Sequence, residues 1–205
     1  MRFKYHKKIV DMLYNEWDLG KIKTGARGKT CAWIYWFEVL AEAEEVIYES
    51  ASNNIIGVCA YSKWDSRKHW LRKNYYALVK KLITHSFLIK NKKEMQKYDE
   101  DYDFLPEELE SNYDGELSII IVDKKYRGKG IGKKLFARMI QLAKRDKMNK
   151  MVILTDETSN YSFYERKGLK KIYEKRVDNG EPDENGHIGT EMGYAYELDL
   201  MKEGE

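Results

Sequence analysis

Apolar residues repeat along the chain with two periods, and these predict its elements. A nearly continuous β-branched run at 117–122 predicts a strand buried on both faces, and Asp123 ends it. From 131 to 143 apolar residues recur at helical spacing, while lysines and arginines take the other positions. Residues 126–133, Tyr-Arg-Gly-Lys-Gly-Ile-Gly-Lys, separate the two segments. The predicted order is therefore strand, glycine-rich turn and helix with a basic face.

The same periods predict the remaining elements. Helices are expected over 2–17, 30–40 and 71–83, and strands over 45–49, 55–61, 151–155, 170–177 and 194–200. A linker at 20–28 separates the first two helices, and a turn at 52–54 joins the first two strands as a hairpin. A loop at 178–187 joins the last two strands into a closing hairpin. No internal repeat is visible in the sequence.

Composition indicates one globular domain spanning residues 1–205. Charged residues make up 35% of the chain and the mean hydropathy is −0.72. Aromatic residues reach 13%, and together with the long apolar runs they exclude a disordered chain. The net charge of +3 is of mixed sign along the chain, and no nucleic-acid-binding motif accompanies it. We therefore expect no nucleic-acid partner.

Targeting and metal-binding signals are weak. The first residues lack the apolar core of an export signal, and no run reaches the ~20 residues that span a membrane. A cytoplasmic protein without a membrane partner is expected. Cys31 and Cys59 stand far apart without a ligand-like partner, which indicates reduced, packed thiols and no metal site.

The segment at about 65–115 is predicted to be a helical insertion with two halves of opposite charge. Residues 67–97 are strongly basic, whereas 98–116 carry acids and no Lys or Arg. One interpretation is a solvated insertion whose halves neutralise each other. The other is a lid whose acidic half favours a cationic substrate by raising its local concentration.

The glycine-rich turn has the features of a phosphate cradle. Gly128, Gly130 and Gly132 let backbone N–H groups turn inward, and the next helix adds unsatisfied amides and its positive end. A Walker loop is excluded because Arg127 and Lys134 occupy its glycine and hydroxyl positions. A Rossmann fingerprint is excluded because Lys133 replaces its third glycine.

Two motifs together carry a family resemblance. Arg-x-x-Gly-x-Gly runs from Arg127 to Gly132, and after one helix and one strand comes Asn160, followed by Phe-Tyr-Glu-Arg-Lys-Gly-Leu at 163–169. In this order and spacing they resemble the signatures of the GNAT superfamily of acyl-CoA N-acyltransferases. The chain departs in having Leu169 at the last position and a short spacing from Asn160 to Tyr164.

The resemblance implies a fold and a binding site for acetyl-CoA, the acyl donor. The fold is a mixed α/β (α+β) domain with a central twisted, mostly antiparallel sheet of six or seven strands and helices on both faces. An opening strand, usual in the family, is either absent or hidden near Phe3. The implied cofactor-binding residues are Ile120, Ile121, Val122, Arg127, Gly128, Lys129, Gly130, Ile131, Gly132, Lys133, Asn160 and Tyr164. Those of the loop would hold the pyrophosphate, and those of the strand would offer amides to the pantetheine arm.

The resemblance also implies an activity, the direct transfer of an acetyl group to a primary amine of a small molecule or protein. Tyr164 stands where the family places its general acid, although an aromatic plug in the core is the alternative. Glu116 stands where several members carry a base; a solvent-facing carboxylate is the alternative, and Asp114 could serve instead. An inactive acyl-CoA-binding regulatory module is the alternative function. The acceptor stays unnamed, and a monomer or a homodimer is expected.

Overall fold

The computed structural model describes residues 3–17, 25–66, 68–84, 104–182 and 188–202. The α-helices are α1 (Phe3–Glu16), α2 (Gly25–Glu42), α3 (Trp70–Thr84), α4 (Glu107–Glu110), α5 (Ile131–Arg145) and α6 (Ser162–Arg166). The strands are β1 (Ala43–Ala51), β2 (Asn54–Lys63), β3 (Gly115–Val122), β4 (Lys150–Asp156), β5 (Lys170–Pro182) and β6 (Ile188–Asp199).

These strands form a mixed six-stranded sheet with helices, which confirms the predicted α/β class. Antiparallel pairing joins β1 to β2, β4 to β6, and β5 to β6. β3 pairs in parallel with β4 through Glu116 and Val152. Both predicted hairpins are therefore present, and most of the pairing is antiparallel as predicted.

The chain divides into two compact units. The first contains Met1–Ile89 and Leu117–Lys147, and the second contains Lys90–Glu116 and Met148–Glu205. The assignment of a single domain to residues 1–205 stays a prediction.

In the first unit, helices pack on both faces of β2, which is buried along nearly its whole length. Val58 and Ala60 belong to a core built with residues of α1 and α2. On the other face, a Cβ added at Gly57 would lie 2.9 Å from Cδ1 of Leu135 on α5. Glycine at this position thus lets α5 lie close to the strand.

In the second unit, the core gathers around the end of the predicted insertion. Phe104 and Leu105 are buried against residues of β4, β5 and β6, and the Phe104 ring stacks on Tyr173 at 6.4 Å. A Cβ at Gly193 would lie 2.8 Å from Phe104 Cε1. The interpretation of a purely solvated insertion is therefore wrong for these two residues, whose apolar side chains anchor its acidic half.

Several sequence-based expectations need correction. β3 alternates between buried and half-buried residues and is not buried on both faces. α2 begins at Gly25, inside the expected linker, and Gly28 is buried there, because packing outweighs the ~1 kcal/mol that a helical glycine costs. β5 extends to Pro182 and β6 begins at Ile188, so the two strands take up much of the expected loop. Within the described residues no strand precedes α1.

Candidate functional site

A short 3-10 turn, Lys124–Tyr126, connects β3 to the glycine-rich loop. The Asp123 carboxylate accepts a hydrogen bond from the Lys125 amide (3.0 Å) and pairs with the Lys8 ammonium. Burial raises the pKa of Asp123, but these two partners outweigh burial and hold the pKa below its usual value. The Asp123 amide also donates to the Ile56 carbonyl at 2.9 Å. The start of the loop is thereby fixed to α1 and β2.

Gly128 and Gly130 adopt left-handed backbone conformations, with φ of +74° and +76°. A Cβ added at either position would meet no atom within 4 Å. These two glycines are therefore required by backbone geometry, and the space around them is open to a ligand. Gly130 is the N-cap of α5, and no side chain satisfies the amides there.

The first turn of α5 has the electrostatics of an anion site. It contains no acidic residue and carries Lys133 and Lys134, both exposed. Lys134 pairs with Glu49 at 2.8 Å, and the Lys129 ammonium lies 5.1 Å from the centre of the Tyr126 ring. Unsatisfied helix amides, the positive end of the dipole and these lysines together favour a phosphate group.

Arg127 is held at the edge of this loop. Its Nε donates to the Val122 carbonyl at 3.2 Å, and its guanidinium pairs with Glu16 at the end of α1. Lys124 donates to the carbonyl of Asn15 at 2.7 Å, beside the same carboxylate. Sequence reasoning missed Glu16, because the ion pair joins residues 111 positions apart. A carboxylate therefore already neutralises the arginine of the motif.

The end of β3 leads into the glycine-rich loop, and both lie in the first unit. Ile121 is buried in the core, while Ile120 and Val122 are half-buried. A Cβ at Gly132 would lie 3.8 Å from Val122 Cγ2, so ordinary packing holds the first turn of α5 against this end of β3. The predicted residues from Ile120 to Lys133 thus form one continuous strand, turn and helix start.

In the second unit, the Asp156 carboxylate organises the turn that leads to α6. It accepts hydrogen bonds from the amide and hydroxyl of Thr158 (2.8 and 2.6 Å) and of Ser159 (2.7 and 3.1 Å). The Glu157 amide donates to the Met192 carbonyl at 2.9 Å. Sequence reasoning missed Asp156, although an aspartate followed by Thr and Ser is typical of such side-chain-bonded turns.

Tyr164 lies on α6 and is buried. Its ring centre lies 5.4 Å from that of Phe163 and 5.7 Å from that of Tyr196. The Tyr196 hydroxyl donates to Glu165 at 3.3 Å, and burial, followed by this carboxylate, raises the pKa of Tyr196 to about 12. Asn160 precedes the helix and is exposed, and its Oδ1 accepts from the Ser162 hydroxyl at 3.1 Å. Asn160 and Tyr164 therefore share one turn and helix.

Two carboxylates lie at the beginning of β3. Asp114 accepts hydrogen bonds from the amides of Asn149 (2.6 Å) and Lys150 (3.1 Å) through one oxygen. Glu116 is half-buried and lies opposite Val152 in the strand register. Asp114 therefore has a structural role in joining two chain segments.

Cys59, which the sequence assigns to the core, and the pair formed by Trp36 and His6 are all buried in the first unit. Trp36 is fully buried and its Nε1 donates to Nδ1 of His6 at 2.8 Å, while burial, followed by nearby positive charge, lowers the pKa of His6. Cys59 is fully buried, and burial raises its pKa well above the usual range. In the described ranges, no three acidic, His or Cys side chains are placed to hold a metal ion, and no helix is long and apolar enough to cross a membrane.

Comparison with known proteins gives a family match. Residues 90–183 match the model of the acetyltransferase (GNAT) domain. No curated protein matches the sequence.

Solved structures match nearly the whole chain. PH1933 from Pyrococcus horikoshii OT3 is 18% identical with a TM-score of 0.56, and 97% of this chain and 94% of that chain are covered. The protein smu.2055 from Streptococcus mutans UA159 is 15% identical with a TM-score of 0.53, at 98% and 96% coverage. A putative acetyltransferase of the GNAT family from Desulfovibrio desulfuricans is 11% identical with a TM-score of 0.50, at 93% and 92% coverage. At these identities the likeness shows the fold.

Proposed function

We propose that the chain is a GNAT acetyltransferase, since residues 90–183 match the model of that domain, and that it transfers an acetyl group from acetyl-CoA to a primary amine of a small molecule or protein in the cytoplasm. The observation that carries the proposal is the start of α5, where two left-handed glycines precede a helix terminus without an acid or a side-chain cap. A diphosphate needs such a cluster of amides and positive charge.

The residues of the glycine-rich loop and the first turn of α5 suit the acyl donor, because they are positively charged and the space beside them is open. We propose that the amides and lysines from Gly128 to Lys133 bind its pyrophosphate, since the open space at Gly128 and Gly130 admits phosphate oxygens. Ile120, Ile121 and Val122 would offer backbone groups to the pantetheine arm, and Asn160 would add a polar contact. When bound, acetyl-CoA supplies the acetyl group as an activated thioester.

The chain's own residues would move the two protons of the reaction. Glu116 takes the proton that the attacking amine must lose, and Tyr164 gives the proton that the departing thiolate must gain. Asp114 is less suited to be the base, because its carboxylate already accepts two backbone amides that join its segment to the start of β4. A buried, aromatic-lined position for Tyr164 favours a proton donor whose hydroxyl is shielded from water.

We propose further that the acceptor is cationic. Glu107 and Glu108 are exposed on α4, and the buried Phe104 and Leu105 anchor this acidic segment to the second unit. Their charge would raise the local concentration of a cationic amine. Asp99, Asp101 and Asp103, which the sequence hypothesis also names, lie outside the described residues.

Replacing Tyr164 tests the proton donor. Tyr164→Phe keeps the ring that packs on Phe163 and Tyr196 and removes the hydroxyl, so turnover should fall by about 10²-fold or more while acetyl-CoA affinity stays nearly unchanged. The matched control is Tyr113→Phe, which removes a hydroxyl bonded to Glu197 at 3.2 Å and should keep the wild-type turnover. Wild-type turnover in Tyr164→Phe would assign the acid to another group.

The base is tested in the same assay by Glu116→Gln. Its rate should fall most near neutral pH and recover in part at high pH, where the amine loses its proton unaided. A pH profile parallel to that of the wild type would assign the base to water or to another carboxylate.

A further inference from the structure

Helix α3 carries an apolar stripe that faces away from the rest of the first unit. Leu71, Tyr75, Leu78 and Leu82 are between 54 and 67% exposed. Their spacing of four, three and four residues is that of the a and d positions in a coiled-coil seam. Trp70, next to the stripe, is 60% exposed.

The opposite face of α3 is the one that holds the helix to its unit. Lys73 pairs with Glu44, and Lys80 pairs with Glu38. In the heptad that places Tyr75 at a and Leu78 at d, these two lysines occupy f, the position farthest from the seam. The helix is thus fixed through one face and displays its seam on the other.

We propose that this seam, Leu71, Tyr75, Leu78 and Leu82, packs antiparallel against the same seam of a second copy of the chain. An antiparallel two-fold places Leu71 opposite Leu82 of the partner subunit, and Tyr75 opposite Leu78 of the partner subunit. The surface is then self-complementary, as a closed symmetric dimer requires.

Charge favours the antiparallel arrangement. α3 contains no Asp or Glu, so its flanking cations cannot pair with acids of an identical helix. The antiparallel two-fold sets Lys81 against Asn74 of the partner subunit and Arg72 against Val79 of the partner subunit. Each cation therefore faces a neutral residue, which avoids the repulsion between like charges.

The exposed area sets the size of such a pair. The four seam residues expose roughly 450 Å² on each chain, so two copies would bury about 900 Å², the size of a small and readily reversible interface. A contiguous apolar patch of several hundred Å² is often an interaction site.

Two charge variants test the seam and its direction together. Leu71→Glu and Leu82→Lys each place a charge opposite leucine in both contacts of a homodimer, so each alone should raise the dimer dissociation constant by about 10²-fold. Mixed in equal amounts, they should form a heterodimer, because one contact becomes Glu opposite Lys and the other keeps Leu82 opposite Leu71 of the partner subunit. Each charge also suits its end of the helix dipole, so α3 itself should persist.

Analytical ultracentrifugation gives the readout. The wild type should sediment as a dimer of twice 24.4 kDa, the single variants as monomers, and their mixture again as a dimer. Met201→Lys is the control, since Met201 is 75% exposed in the second unit and its variant should stay dimeric. Far-UV circular dichroism checks that each variant is folded.

Three results would overturn the proposal. A wild type that stays monomeric at about 100 µM would exclude a useful self-association. Dimers that persist in both single variants would place the contact elsewhere. Monomeric variants that fail to combine would exclude the antiparallel seam.

Discussion

Helices α5 and α3 are both fifteen residues long and both amphipathic, yet their apolar faces have opposite fates. Leu135 and Met139 of α5 are fully buried, whereas Leu78 and Leu82 of α3 are more than half exposed. The difference comes from what each helix meets. Gly57 of β2 leaves room for Leu135, while α3 approaches its unit through Lys73 and Lys80.

The comparison separates two uses of the same pattern. Burial of the α5 stripe fixes a helix whose first turn has the charge and open amides for phosphate. Exposure of the α3 stripe leaves a surface for another molecule. An amphipathic period therefore predicts a helix and its apolar face, but what covers that face depends on the neighbouring elements.

The same substitution in the two helices tests this difference most strongly. Leu135→Ala empties a fully buried position and should lower the free energy of unfolding by about 2–5 kcal/mol. Leu78→Ala should change it by less than about 0.5 kcal/mol when measured on the monomer, because the side chain is largely solvated there. Urea unfolding of both variants at low protein concentration provides the measurement.

Equal losses of stability in the two variants would contradict the comparison. They would mean that the α3 stripe is covered within the monomer and that Leu78 belongs to its core.

The sequence predicted the helices and strands better than it predicted their burial and their contacts with distant segments. The continuous apolar run at 117–122 and the helical period at 71–83 identified a strand and a helix correctly, because local periodicity reflects local backbone geometry. Local periodicity did not predict that residues of β3 alternate between buried and half-buried. Nor did it predict that Gly57 and Gly193 make room for Leu135 and Phe104. Those facts depend on contacts between distant segments.

Some features of the candidate site were predicted from the sequence, and others were missed. Positive φ at Gly128 and Gly130 agrees with the turn that the sequence predicts. Glu16 was missed because its partner Arg127 lies 111 positions away in the sequence. Asp156 was missed although its bonds to Thr158 and Ser159 are local and the sequence carries their signal. The roles of Tyr164 and Glu116 stay predictions.

A smaller effect, on acetyl-CoA affinity, is expected from the ion pair between Glu16 of α1 and Arg127 in the loop before α5. Glu16→Gln removes a carboxylate that competes with phosphate for the guanidinium, so acetyl-CoA should bind a few-fold more tightly, and more so at low salt. Titration calorimetry at two salt concentrations measures the change. Asp11→Asn is a matched control on the same helix, because Asp11 pairs with Lys29 and not with the loop.

Weaker binding in Glu16→Gln would reverse this account of the pair. Glu16 would then position Arg127 for the ligand, and its loss would leave the guanidinium misplaced.

The central claim is that the start of α5 binds acetyl-CoA, and titration calorimetry on Gly130→Asp tests it most directly. A carboxylate there would repel the pyrophosphate from space that is open in the present structure, while the left-handed backbone costs a folded variant about 1 kcal/mol. Binding should be lost, whereas Ala137→Asp, which adds the same charge at an exposed position along α5, should keep near-wild-type affinity. Unchanged affinity in a folded Gly130→Asp protein would contradict the claim.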